Sequence, residues 1–295
     1  MKKLLVVDVM YLAYRSFYAF SSAPLVTKTS KIPTSVVYAM AATCLKMLKQ
    51  ERPDYLAFCT DSPGLTFRHV AFPQYKSQRN ELPPDLDVQL PLAFRLLSTF
   101  NVPVLKLDGY EADDLIGSLA VKFASSECKV LILSKDKDFM QLVNPNVTLL
   151  KQDNQGAIQH VDCARVMETL GIRPNQMVDY LAICGDASDN VPGVKGIGPK
   201  GAAELLGQFA TLEDILANLD KVKSPRHVKL LQQFQLENRD GLAKQLVTIK
   251  TDVPITQSLN EFKIASCEEV VKSPQLVEFC KEMECQGLLK RFAVE

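Results

Sequence analysis

Gly185-Asp186-Ala187-Ser188-Asp189-Asn190-Val191-Pro192-Gly193-Val194-Lys195-Gly196-Ile197-Gly198-Pro199-Lys200 is the stretch on which the reading of this 295-residue chain depends. Its first half sets two carboxylates, Asp186 and Asp189, in a turn able to hold a hard cation. Its second half strips side chains at Gly193, Gly196 and Gly198, just before a helix that opens at Pro199. Glycine lets backbone N–H groups approach an anion closely, and a helix N-terminus favours negative charge. Lys195 and Lys200 flank the loop. A cation site beside a phosphate-gripping loop suggests a protein that cuts or holds a phosphodiester chain.

Upstream of this stretch, short apolar, β-branched runs alternate with helical periodicity. Strands are expected at residues 3–7, 55–59, 102–107 and 129–133, with shorter ones at 147–150 and 157–161 around an Asn154-Gln155-Gly156 turn. Helices are expected at residues 11–20, 36–50, 86–100 and 112–125. Such alternation implies an α/β layer with a mostly parallel sheet, in which ligands bind beyond the carboxyl ends of the strands. Acidic residues recur at those ends: Asp8, Asp61, then Glu111, Asp113 and Asp114, then Asp136 and Asp138. Beyond about Gly171 strand signals fade, and helices follow at 175–184, 200–209 and 211–218. Residues 221–226 read as a basic, Pro-broken connection, with Lys229 just beyond.

So many ionised carboxylates cannot share a small space, because like charges raise each other's pKa. Multivalent cations remove the conflict, and oxygen ligands without histidine or cysteine select Mg²⁺ or Mn²⁺ rather than zinc. The three histidines, His69, His160 and His227, show no metal-ligand spacing. Each acidic cluster taken alone has a plainer reading as a helix cap, a first-turn partner of the helix dipole, or a solvated loop. Their common place at one edge of the sheet favours a metal pocket.

The pattern Gly-Asp-x-Ser-Asp-Asn-x-Pro-Gly-Val-x-Gly-Ile-Gly-x-Lys resembles the helix–three-turn–helix of the 5′ nuclease family, which includes flap endonucleases and the 5′→3′ exonuclease domain of bacterial DNA polymerase I. The likeness extends from Leu4 to Phe292, with Asp61 followed by Phe67-Arg68 and then Tyr75-Lys76. It implies a PIN-like α/β catalytic domain over residues 1–170, with a helical arch near 76–95. A helical part over 171–295 would carry the helix–three-turn–helix at 174–209. It also implies two Mg²⁺ ions, replaceable by Mn²⁺, held by Asp8, Asp61, Glu111, Asp113, Asp114, Asp136, Asp138, Asp186 and Asp189. Such ions activate water and stabilise an in-line displacement at phosphorus.

Lys76 and Arg79 would neutralise the scissile phosphate, Tyr75 would stack on a base, Arg68 would contact DNA, and Arg15 would either contact a phosphate or pack against nearby carboxylates. Gly193, Lys195, Gly196, Gly198 and Lys200 would grip the duplex backbone, with K⁺ on the loop carbonyls as in the family. The expected partners are DNA with a 5′ flap, nick or single-stranded 5′ end, RNA–DNA hybrids, and a DNA polymerase. The chain would act as a monomer, either free-standing or as the nuclease part of a polymerase I. Two positions depart from the family pattern: Val9 stands where glycine is usual and Gly201 where threonine is usual. The latter weakens the helix start by about 1 kcal/mol or less. A lapsed junction-binding protein and a PIN-like ribonuclease are the competing readings. The retained carboxylates oppose the first, and the glycine loop opposes the second.

Bulk properties agree. Lys+Arg and Asp+Glu are both 34, so the formal net charge is zero, which excludes binding to nucleic acid by bulk charge but not by local basic patches. Eight cysteines without a Cys-x-x-Cys pair point to free thiols in a reducing cytosol. Asp8 interrupts the opening apolar run too early for a signal peptide, and no run approaches the ~20 apolar residues of a membrane span. A cytoplasmic protein is expected.

Overall fold

Residues 1–153, 155–237 and 239–293 are described by the computed structural model, so Asn154 of the expected turn lies outside the described residues. The chain opens with β1 (Lys2–Asp8), α1 (Val9–Ala19), α2 (Ser35–Glu51), β2 (Tyr55–Cys59), α3 (Phe67–Ala71), α4 (Pro84–Asp87), α5 (Leu90–Ser98) and β3 (Val104–Leu105). It continues through α6 (Ala112–Phe123), β4 (Cys128–Leu133), β5 (Val147–Gln152), β6 (Ile158–Val161), α7 (Cys163–Leu170), α8 (Met177–Cys184), α9 (Pro199–Gln208) and α10 (Leu212–Ala217). The last helices are α11 (Pro225–Leu236), α12 (Arg239–Val247), α13 (Cys267–Val270), α14 (Pro274–Glu282) and α15 (Gln286–Ala293).

The strands form one sheet in the order β3-β2-β1-β4-β5-β6, parallel except for the final hairpin-like pairing of β5 with β6. Strand side chains alternate between faces, so the apolar runs divide strictly. Leu4, Val6, Ala57, Val130 and Ile132 enter a core beneath α6, α8 and α9. Leu5, Val7, Leu56, Phe58 and Leu131 enter a second core beneath α1, α2 and α5. From β1 the chain adds β2 and β3 on one side, and β4 then starts the other side. The crevice between β1 and β4 is therefore the topological switch point, where open α/β sheets bind ligands.

Three expectations are corrected. The helix foreseen over 86–100 is two helices. Pro91, at the second position of α5, has no N–H to continue an earlier helix, and it suits a new first turn. The β3 strand is two residues long, pairing only with Phe58 and Cys59 at the sheet edge.

The arch expected near 76–95 is not a helical projection in its second half. Leu86, Leu96 and Leu97 are fully buried in the second core, because an apolar stripe gains more against α1 and α2 than in solvent. Only the turn segment after Tyr75, with exposed Ser77, Gln78, Arg79 and Asn80, stands free of the core.

The helical part shares both cores with the sheet. Residues from Leu4 to Phe262 share the first core, while Cys267, Leu276, Phe279 and Phe292 close the second core on the opposite sheet face. Among the described residues, no helix is long and apolar enough to cross a membrane. All eight cysteines are free thiols, six of them buried.

Candidate active site

β1 ends at Asp8, whose carboxylate turns back to cap α1 by accepting from Tyr11 N at 3.0 Å. Its other oxygen accepts from Ser134 Oγ, at the end of β4, at 2.9 Å. This bond spans the switch point. Around it opens a cleft of about 480 Å³ lined by Asp8, Asp61, Asp113, Asp136 and Asp186, with Lys76, Arg79, Lys135 and Lys137 among its walls. A larger cleft of about 660 Å³ lies at the opposite end of the strands, beside Asp54 and Ile264, and gathers no comparable charge.

Local structure delivers each carboxylate. Asp61 follows β2 and accepts from Ala112 N at 2.8 Å, tying that loop to the start of α6. Asp113 occupies the first turn of α6. Asp136 accepts from Asp138 N at 2.9 Å in the loop after β4. Asp186 and Asp189 sit in a turn closed by the paired backbones of Asp186 and Val191, at 3.0 and 2.7 Å.

Burial, reinforced by Asp61 and Asp136, pushes the Asp8 carboxyl up to about 6. Burial, then Asp136 and Asp8, pushes Asp113 well above the ordinary carboxylate range, and burial with Asp136 and Asp186 does the same to Asp138. Asp186 goes the other way. Although burial opposes it, hydrogen bonds from Ser188 and Lys137 hold its carboxyl below the usual range.

The remaining expected ligands are engaged by cations. Glu111 is buried and accepts from Lys76 Nζ at 2.5 Å, Arg68 Nη1 at 3.0 Å and Tyr75 Oη at 3.1 Å. Asp189 accepts from Arg79 at 2.6 Å and from Tyr75 Oη at 3.1 Å, with Lys76 Nζ 3.9 Å away. For Lys76, burial favours the neutral amine, but Glu111 and Asp189 outweigh it and keep the ammonium form. The backbone is pinned as well: Lys76 N donates to Asp189 O at 2.9 Å, in a residue held at φ 57°.

Asp114 does not join the cleft. It is fully buried and takes both terminal nitrogens of Arg68 at 2.8 Å. Arg68 is 2% exposed and also donates to the carbonyls of Leu246 and Thr248, so it cannot reach DNA. Both assignments are corrected: the pair is an internal brace between α3, α6 and the segment after α12. Tyr75, 4% exposed with its hydroxyl engaged, likewise has no face free for a base. Arg15 bonds Gln152 at 2.8 Å and the Asp153 carbonyl at 2.5 Å, a packing role on β5.

The loop residues divide by reason. A Cβ on Gly193 would come within 2.2 Å of Gly185 N, so this glycine serves backbone packing inside the motif. Gly196, at φ +95°, needs the left-handed region. A Cβ on Gly198 would meet open space, and Lys195 and Lys200 are exposed beside it. At the two departures, Val9 points into the second core rather than the cleft. Gly201 lies where a Cβ would approach Ile197 and His227 at 3.0 and 3.3 Å.

Sequence reasoning missed Ser134, Lys135 and Lys137. Their signal was visible as the alternation Ser-Lys-Asp-Lys-Asp after β4, but nothing local says where the lysines point.

The donor set suits a hard divalent cation. It is all oxygen, three of its carboxyls are pushed above the ordinary carboxylate range by burial and mutual repulsion, and Asp138 Oδ1 is buried without a hydrogen-bond partner among the described residues. Among the described residues, no three such side chains already converge into a closed cage. Lys76, Arg79 and Lys137 now occupy carboxylates on its rim.

A parallel sheet with an acidic crevice at its switch point, followed by a glycine-loop helix pair, defines a phosphodiester-directed α/β protein of nuclease type. Sequence profiles place it further: the one described as "5′-3′ exonuclease, N-terminal resolvase-like domain" matches residues 3–171, and "5′-3′ exonuclease, C-terminal SAM fold" matches 172–270. The chain belongs to the 5′-3′ exonuclease family. It is 36% identical to a 5′-3′ exonuclease of Aquifex aeolicus, over 98% of this chain and 95% of that protein. It is 35% identical to DNA polymerase I of Caldicellulosiruptor bescii over 99% of this chain. It spans about a third (34%) of that polymerase's length. In fold it is similar to T5 5′-exonuclease, solved with divalent metal ions, at a TM-score of 0.67 and 22% identity, covering 99% of this chain and 100% of that one. It also resembles the catalytic core of Rad2 in complex with DNA substrate, at 0.62 and 17% identity, covering 99% and 92%.

Proposed function

We propose that the chain hydrolyses phosphodiester bonds at 5′ flaps, nicks and single-stranded 5′ ends of DNA, including RNA primers in RNA–DNA hybrids, in replication and repair. The observation that carries this reading is the gathering of Asp8, Asp61, Asp113, Asp136 and Asp186 at the switch point, with Lys76 and Arg79 on the same wall. Two Mg²⁺ ions, or Mn²⁺ in their place, would be held by these carboxylates and Asp138, and would supply Lewis acidity toward water and phosphate. The structures of T5 5′-exonuclease with divalent ions and Rad2 with DNA support the same reading.

The chain's own residues divide the remaining work. Lys76 and Arg79 present fixed positive charge where negative charge grows at phosphorus, which favours the transition state over the ground state. Glu111 and Asp189 hold those cations in place. The loop from Gly193 to Lys200 offers backbone donors and two lysines to duplex phosphates away from the cut, with K⁺ on its carbonyls. The protein works as a monomer in the cytoplasm, linked functionally to a DNA polymerase.

The test is cleavage of a 5′-labelled flap duplex with Mg²⁺, with and without a chelator. Short labelled products at the flap base that vanish with chelator are expected. Uncut flap at saturating Mg²⁺, with the duplex still bound, would mark a junction-binding protein instead.

A further inference from the structure

Lys137 lies between Asp136 and Asp138 in the loop after β4, yet its ammonium turns to neither neighbour. Its Nζ sits 2.9 Å from Asp186 Oδ2, a residue nearly fifty positions later in the glycine-loop motif. The contact joins the catalytic sheet edge to the turn that leads into α9. The two partners differ in exposure: the Asp186 side chain is 8% exposed and that of Lys137 is 47% exposed. The carboxylate is fixed by Ser188 N at 2.8 Å and by Ser188 Oγ, whereas the lysine pairs with no second carboxylate among the described residues and has a flexible four-carbon stem.

Asp186 lines the acidic cleft together with Asp8, Asp113 and Asp136. A divalent cation bound to Asp186 Oδ2 would compete with the ammonium that lies 2.9 Å from the same oxygen, because two cations on one carboxylate oxygen repel strongly in a partly buried site. The carboxylate cannot move, because its turn is closed on both sides. The lysine can. Half exposed, it would be released on the solvent side of the cleft with its charge unneutralised.

We propose that Lys137 is a metal-gated phosphate contact, latched on Asp186 in the metal-free protein and freed for a backbone phosphate when a divalent cation takes that carboxylate. The proposal rests on the metal-dependent nuclease reading above. It makes substrate grip and metal loading mutually dependent: the internal counter-ion of the empty state becomes a substrate ligand of the loaded one. Linkage requires the converse too, so phosphate binding by Lys137 tightens the metal.

The experiment compares wild type, Lys137→Met and Lys137→Arg. Calcium affinity is measured by titration calorimetry, and binding of a 5′-flap duplex is measured against NaCl concentration, at fixed Ca²⁺ and in EDTA. Lys137→Met removes a competitor and should bind Ca²⁺ about threefold to tenfold more tightly in the absence of DNA. With Ca²⁺, its log–log salt slope for the flap duplex should fall by about 0.9, one phosphate's worth, and in EDTA it should equal that of wild type. Lys137→Arg should restore the slope.

An unchanged slope with Ca²⁺, or weaker Ca²⁺ binding in Lys137→Met, overturns the latch. An equal loss of slope with and without Ca²⁺ also overturns it, and marks an ordinary backbone contact. Failure of wild type to bind Ca²⁺ or flap duplex would instead defeat the nuclease reading itself.

Discussion

Replacing Asp8 with asparagine should stabilise the metal-free protein while crippling the proposed metal site, and the structure sets the size of the effect. Burial raises the Asp8 carboxyl from an ordinary 3.8 to about 6. A proton is therefore held more tightly by the folded chain than by the unfolded one. The stability this contributes is fully present below about pH 3.8 and is lost as pH rises through about 6. At about 1.4 kcal/mol per pH unit, the full span amounts to roughly 3 kcal/mol. Asparagine is neutral at every pH and keeps both contacts: Oδ1 still accepts from Tyr11 N, and Nδ2 donates to Ser134 Oγ. It also relieves Asp113, which the Asp8 charge helps to push up.

In EDTA, urea unfolding followed by circular dichroism should find Asp8→Asn more stable than wild type by roughly 3 kcal/mol at pH 8. The difference should shrink toward zero near pH 4. Asp138 steepens the pH dependence of both proteins alike and drops out of the difference curve, which reports Asp8 together with its coupling to Asp113. With saturating Mn²⁺ at pH 8 the order should reverse, because only wild type offers the full ligand set. A variant no more stable than wild type at pH 8, or a difference that does not change between pH 4 and 8, would refute the claim that Asp8 is held ionised at a cost.

Arg68→Met should destabilise the fold by about 3–5 kcal/mol, since it strands the fully buried Asp114 and the carbonyls of Leu246 and Thr248. A double-mutant cycle with Asp114→Asn, read by urea midpoint, should recover part of that loss, and strict additivity would show the pair to be uncoupled. Lys76→Ala should lower the single-turnover cleavage rate far more than duplex affinity, because its charge is needed as phosphate charge develops. Equal losses in both would make it a general backbone contact. Gly193→Ala should unfold the glycine-loop motif, whereas Gly198→Ala should leave thermal stability nearly unchanged and weaken flap-duplex binding. Normal duplex affinity in a folded Gly198→Ala protein would remove the loop from the grip.

How much of this was legible in the sequence follows the range of the forces involved. Strands and their ends are local facts. A β-branched run buried on both faces announces β1, β2 and β4, and an acid just past each run falls at the ligand-binding edge whatever the rest of the chain does. The glycine loop and the carboxylates of Asp8, Asp61, Asp113, Asp136 and Asp186 were therefore readable without coordinates.

Which partner each charge takes was not. Asp113 and Asp114 are adjacent in sequence, yet one faces the cleft and the other is sealed against Arg68, 46 residues away. One step along a helix rotates a side chain by about 100°, and only packing decides which side of α6 is interior. Arg68 looked like a surface cation because its type usually is one. Burial by α12 and the following segment made it a brace. Lys137 reaches Asp186 only because the glycine-loop turn is packed beside the end of β4. The apolar stripe of Leu86, Leu96 and Leu97 was visible to sequence, but its destination in the second core was set by how α1, α2 and the helices from α13 to α15 close over that face. Local sequence determined the elements and the edge at which charge collects. Non-local burial decided which of those charges face the cleft and which hold the protein together.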